Sequence, residues 1–311
     1  ITPEENEGYS KIQNAVYDLY RQLGVVTLLN PSKELPPLAN TPCVGMHLYT
    51  QVHGIANKAR FLPLYVTVNI PEGKTRVYCD AFSKRGVSYR EACLEMAKLF
   101  WDSNLEQRCV EASRVPAKQK LIELKNHFYS KEDSVLLVVQ SDGTTRAVWS
   151  GISDKEIGCY DVIESYCPTE INVGMPKSPY KMSLLDSGVR IIRIRSNQEV
   201  PDYYTDLSKK STEERLQLTS SSGIFHCGIH AKPNDPQYTS SFKASRIDHP
   251  KQRFAEKDMI ELYPLQLQPG DTAENWVFYT NALRHIPIQY NQSLVLPLPL
   301  HLAEGLEEYL F

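Results

Sequence analysis

The stretch that most constrains this chain is Ser134-Val-Leu-Leu-Val-Val-Gln140, five consecutive aliphatic residues between polar ends. A strand with one face in water alternates apolar and polar residues; one that is apolar at every position must be covered on both faces. The chain is therefore expected to build a sheet with layers on either side and this strand near its middle. The strand hands over directly to Ser141-Asp142-Gly143. A carboxylate at the carboxyl end of a central strand projects from a rigid edge into a crevice, a favourable place for chemistry. Asp-Gly is also a common turn, so Asp142 has a structural reading beside the functional one.

Around this core the periodicities predict further elements. Residues 8 to 29 carry Ile12, Ala15, Val16, Leu19 and Leu23 at helical spacing and break at Gly24 before Val25-Val26. Pro31 to Pro42 reads as a loop, and Gly45 to Lys58 is ambiguous. Phe61 to Ile70, a Pro71-Glu72-Gly73-Lys74 turn and Thr75 to Phe82 form a predicted hairpin. Tyr89, Ala92, Cys93, Met96, Leu99 and Phe100 mark one helical face, and Ala117 to Tyr129 a basic helical segment. Gly188 to Arg195 alternates aliphatic and arginine residues, which predicts a strand with Arg190 and either Arg193 or Arg195 outward, as phosphate contacts or as edge protection. Residues 201 to 222 are polar and expected to be mobile. Gly223 to His230 and Asp258 to Tyr263 read as strands, with His226 and His230 on one face and no third ligand beside them.

The last thirty-six residues read helix, strand, proline-flanked turn, helix. Trp276, Tyr279, Ala282 and Leu283 share a helical face, and Pro297 and Pro299 are expected to hold the backbone extended. The final helix then begins near His301 to Ala303, which places Glu304 in its first turn, where the helix dipole favours a carboxylate.

Composition excludes some classes. The chain has 311 residues, 41% hydrophobic and 23% charged, enough for a large core. No run approaches eighteen apolar residues, so no membrane helix is expected. Seven cysteines without a Cys-x-x-Cys pair argue against a zinc or disulfide framework and for a reducing, cytoplasmic setting. A net charge of −3 argues against a wholly basic nucleic-acid binder. Positive charge nevertheless collects at Arg108 to Lys131, and again at Lys243 to Lys257, which includes Arg253. Such runs are either solvated faces or the wall of a phosphate channel.

Tyr279-Thr280 to Arg284, followed by Leu296-Pro-Leu-Pro-Leu-His-Leu-Ala-Glu304, resembles the closing segment of Argonaute and Piwi proteins, and most closely the bacterial group pPIWI_RE. The long hairpin followed by a helix and the strand ending in Asp142-Gly143 extend the resemblance over most of the chain, as do Arg146 and Trp149 beyond that strand. It implies an α/β (α+β) RNase H-like Piwi domain, with a mixed central sheet flanked by helices, over residues 41 to 311. Residues 1 to 40 would be a connector from a guide-binding middle domain, and Ile1 in place of Met suggests a piece of a longer chain. The resemblance further implies a two-metal phosphodiesterase site binding Mg²⁺ or Mn²⁺ through Asp142 and Glu304, with Glu91 or Glu95 as a positional match to a family glutamate. Asn69, at the end of the Phe61 strand, would replace the family's first-strand aspartate, with Asp80 as a compensating carboxylate. Because asparagine brings no charge, metal binding and cleavage should be weakened. Arg146, Arg284, Arg193, Arg195, Lys243 and Arg253 would contact RNA or DNA of a guide–target duplex, and Arg146 pairs either with a phosphate or with a carboxylate. The group's implied setting is RNA-guided defence beside helicase and nuclease partners. Two alternatives stay open: an active Mg²⁺-dependent endonuclease, and a protein-interaction domain on a vestigial RNase H fold.

Overall fold

The computed structural model describes residues 3–26, 41–51, 60–70, 72–101, 134–157, 167–196, 200, 204–206, 216–219, 223–227, 253–255, 259–285 and 294–310. Helix α1 (Pro3–Gln22) precedes a nine-stranded sheet among these residues. Its strands are β1 (Cys43–Gln51), β2 (Arg60–Asn69), β3 (Lys74–Cys79), β4 (Ser83–Val87), β5 (Val135–Gln140), β8 (Val189–Ser196), β10 (Leu216–Thr219), β11 (Ile224–Cys227) and β13 (Ile260–Gln266). They lie in the order β10-β11-β13-β8-β5-β1-β2-β3-β4. Two small ladders complete the strands, β6 (Ile171–Asn172) with β7 (Lys181–Met182) and β9 (Tyr204–Asp206) with β12 (Arg253–Ala255). Helices α2 (Tyr89–Trp101), α3 (Gly143–Val148), α4 (Ala273–Ala282) and α5 (Leu298–Gly305) follow strands β4, β5, β13 and the final connection.

The aliphatic run behaves as its pattern requires. β5 lies between β1 and β8, parallel to both, and its residues alternate between two cores. Leu136 and Val138 join Cys43, Leu64, Ile192 and Ile194 under α2, α4 and α5. Val135, Leu137 and Val139 join Val44, Met46, Ile191 and Trp149 on the opposite face. The expected hairpin forms as β2 and β3 in antiparallel register, and the Tyr89 helix as α2.

One ambiguity is resolved and three expectations are corrected. The ambiguous Gly45 stretch is β1, a strand at the sheet's centre, paired antiparallel with β2 and parallel with β5. The Gly188 to Arg195 segment is no edge: β8 lies between β5 and β13, and Arg193 is only 1% exposed. Pro299 does not delay the last helix. α5 starts at Leu298 with proline in its first turn, where the missing N–H has no partner to lose. Glu304 consequently stands near the C-terminal end of α5, so the dipole argument for that carboxylate falls.

Residues 102 to 133, with the basic segment and predicted helix, lie outside the described residues, as do Lys243 and His230. Of residues 201 to 222, only β9 and β10 are described. The described cysteines Cys43, Cys79, Cys93, Cys167 and Cys227 form no disulfide with one another, and no described helix is long and apolar enough to cross a membrane.

Candidate active site

The parallel pairing of β1 and β5 sets the geometry of the site. Met46 is level with Val139, so His47 is level with Gln140, at the strand end that delivers Asp142. Asp142 caps α3, its Oδ1 accepting the Thr145 N–H at 2.6 Å. Ser141 Oγ donates to the Ile152 carbonyl at 2.9 Å, folding the chain after α3 back against the strand end. Arg146, in the same helix, donates from Nη1 to the Ser141 carbonyl at 2.7 Å, so it braces the backbone beside Asp142.

The second half of the site comes from α5. It crosses β1 at Gly45, where a Cβ would stand 2.3 Å from the Pro299 carbonyl carbon and 2.4 Å from the Leu300 nitrogen. Glycine in a strand interior usually weakens it; here it permits close approach of another backbone. On the same face as Gly45, His47 is buried, and its Nε2 lies 2.9 Å from Oε2 of Glu307, in the turn after α5. The other ring nitrogen, Nδ1, is buried without a hydrogen-bond partner.

Glu304 is on the same end of α5. Its side chain is exposed, and its carboxyl is held above the ordinary carboxylate range, first by partial loss of hydration against the chain, then by the negative charges of Glu307, Asp142 and Glu308. His47 acts in the opposite direction. Asp142 is thus one of several charges that act on Glu304.

Other expected members fall elsewhere. Asn69 is beyond Val68, which pairs with Cys43, so it sits past the beginning of β1, at the opposite end of the sheet. Counting the registers, that is roughly 20 Å from the level of Asp142 at about 3.3 Å per residue. Asn69 instead organises the β2–β3 turn, accepting the Glu72 N–H at its side chain and the Gly73 N–H at its carbonyl. The strand that occupies the first-strand place beside β5 is β1, and the residue at the site end of β1 is His47. Glu91 closes a capping box with Ser88, accepting its N–H at 2.9 Å and its hydroxyl at 2.8 Å, which holds the Glu91 carboxyl below the usual range. Glu95 pairs with Lys98 on the same exposed helix surface.

Two of the expected phosphate-binding arginines are internal. Arg193 pairs with Asp154 and, at 3.3 Å, with Glu261. Arg284 donates to the Leu294 carbonyl at 2.9 Å, to the Cys227 carbonyl at 3.3 Å and to Asn281 Oδ1 at 3.1 Å, joining α4 to β11 and to the segment that leads into α5. Neither guanidinium faces solvent. Arg195 is partly exposed and shares Glu261.

Two Mg²⁺ ions need several converging carboxylates. Here a histidine stands at the central strand, Asp142 is spent on a helix cap and Glu307 on His47. Among the described residues no three His, Cys, Asp or Glu side chains gather closely enough to hold a metal ion. The residues present do not fit the two-metal arrangement.

The chain matches the family model described as the RNaseH domain of pPIWI_RE over residues 43–311. It belongs to this family. The mixed sheet with central parallel strands and flanking helices is the RNase H-like fold that membership entails. No curated protein matches the chain. The available signal for His47 was the alternation of Val44, Met46 and Leu48 with Gly45 and His47, which marks a strand with both of the latter on one face; Glu307 carries no comparable local signal.

Proposed function

We propose that this pPIWI_RE domain binds nucleic acid as a guide–target module and cuts it weakly or not at all. The observation that carries the reading is the His47–Glu307 contact at the head of β1 and β5, where a metal-dependent RNase H-like site calls for carboxylates free to bind ions. The family supports a nucleic-acid partner. Since Arg193 and Arg284 are internal, the contacts fall to Arg146, Arg195 and the basic segments that include Lys243 and Arg253. Residues 1 to 40 serve as the connector to a middle domain, and the cellular setting is cytoplasmic RNA-guided defence alongside helicase and nuclease partners.

Labelled single-stranded and hybrid RNA/DNA oligonucleotides, titrated across a salt series with and without Mg²⁺ or Mn²⁺, test this. Affinity should fall steeply with salt, as expected when phosphate contacts release counterions, and no metal-dependent product should form. Metal-dependent cleavage abolished by Asp142→Ala would show a nuclease; absence of any salt-sensitive binding would favour a protein-interaction role.

A further inference from the structure

The face of β8 that carries Ile191 turns from apolar to cationic as the strand runs on, because Arg193 and Arg195 follow on the same side. Ser141 fixes where this happens. Its N–H donates to the Ile194 carbonyl at 2.7 Å and its Oγ to the Ile152 carbonyl at 2.9 Å. Arg195 is thereby seated beside the strand end that delivers Asp142, and Asp154 stands two residues beyond Ile152. The Asp154 carboxylate joins the two guanidiniums, with Oδ1 on Arg193 Nη2 and Oδ2 3.8 Å from Arg195 Nη1. We propose that Arg193 and Arg195 form a subsite for a phosphate of the nucleic-acid backbone, which Asp154 occupies in the free protein and yields on binding. The choice of ligand rests on the nucleic-acid reading of this domain.

Asp154 fills the place only in part. Arg190, on the same strand, shows the full fit: its Nε and Nη2 edge donates to both oxygens of Asp271, at 2.6 and 2.9 Å. On Arg193 that edge is half used, because Asp154 meets Nη2 alone and Nε is buried without a hydrogen-bond partner. Leaving a buried donor unpaired is costly. The second Asp154 oxygen is beyond hydrogen-bond range of Arg195. Asp154 cannot improve this, since it reaches on one methylene from a turn closed by the Glu156 and Ile157 N–H groups on the Ser153 carbonyl. A backbone phosphate is not tied to that turn. Its two charged oxygens can take the Nε and Nη2 edge together, with Arg195 as a second cation. Buried Glu261 lies 3.3 Å from Arg193 and 3.7 Å from Arg195, with His226 3.8 Å from its other oxygen, and it balances one of the two guanidiniums. The other is left to Asp154, whose side chain is 53% exposed. An exposed carboxylate is weakly held in an ion pair, so an anion arriving from solvent can displace it without entering the core.

Titrations of the whole chain with a labelled single-stranded oligonucleotide, and separately with inorganic pyrophosphate, test this. Asp154→Asn should bind the oligonucleotide about tenfold tighter than wild type at low salt, as one charge-assisted contact is no longer contested. Its salt slope should steepen by about 0.7, the share of one phosphate on a single strand. Both gains should vanish when Arg195→Gln is added. Glu156→Gln removes the same charge from an exposed place in the same turn and should change affinity by less than about twofold, since a solvated charge is screened. Without nucleic acid, pyrophosphate should raise the melting temperature of Asp154→Asn more than that of wild type. A folded Asp154→Asn protein that gains neither oligonucleotide affinity nor pyrophosphate protection would overturn the proposal, as would an equal gain in Glu156→Gln. If Asp154→Asn does not fold, Arg195→Gln in the otherwise wild-type chain decides, and an unchanged oligonucleotide affinity and salt slope would overturn it. Pyrophosphate protection with no oligonucleotide bound by any variant would instead sink the nucleic-acid reading and leave the anion subsite standing, with free phosphate as its ligand.

Discussion

Gly45→Ala is the most direct test of how the site is assembled. The added Cβ would meet the Pro299 carbonyl carbon at 2.3 Å and the Leu300 nitrogen and Pro299 oxygen at 2.4 Å each. Non-bonded carbon contacts settle near 3.5–4.0 Å, so α5 must retreat by more than an ångström. The obstacle is backbone, which cannot rotate aside. The helix is also pinned by Leu298, Leu300, Leu302 and Ala303, all within 1% of complete burial. Overpacking a core by one carbon typically costs about 1–3 kcal/mol. With a backbone on the other side, the upper end, about 3 kcal/mol, is expected. Urea unfolding should show the midpoint falling at an unchanged slope. Gly143→Ala is the matched control. Nothing lies within 4 Å of its Cβ position, and the residue opens α3, so the change should be neutral or stabilise by up to about 1 kcal/mol through the unfolded chain. Equal midpoints for Gly45→Ala and wild type would refute the argument that α5 is seated on β1 through this glycine.

Arg190 makes a bidentate pair with Asp271, at 2.6 and 2.9 Å, and its guanidinium carbon lies 4.2 Å from the centre of the Trp276 ring. Arg190→Ala should cost about 3–5 kcal/mol in denaturant melts, because Asp271 is left almost buried without its partner. Trp149→Phe removes the Nε1 bond to the Asn172 carbonyl at 2.7 Å and should cost about 1–3 kcal/mol, read as a lower urea midpoint. Glu304 gives a pH signature. Its folded pKa is raised from an ordinary 4.5, so the folded protein holds the proton more tightly than the unfolded chain. The stability this provides is complete below the ordinary value and is lost as pH rises through the raised one. Melting temperatures measured from about pH 4 to 8 should fall less with rising pH in Glu304→Gln than in wild type. A steeper fall would contradict the assigned direction.

The centre of the sheet and much of its local structure follow from residue pattern alone. An all-aliphatic β5 has to be covered on both faces, and the helical stripes of α2 and α4 and the Pro-Glu-Gly-Lys turn between β2 and β3 are local patterns with local causes. Asp142 at the end of β5 was legible for the same reason, and Glu304 was singled out through family resemblance. Which strand lies beside β5 is settled by long-range packing. That choice moved the first-strand position from Asn69 to His47, because an antiparallel hairpin sends alternate strand ends to opposite edges of the sheet. It also turned two arginines inward, Arg193 on β8 onto Asp154 and Glu261 and Arg284 after α4 onto the Leu294 and Cys227 carbonyls and Asn281. The same holds for Glu307: a glutamate after a helix carries no local sign that a glycine 262 positions earlier in the chain lets its helix settle onto a histidine.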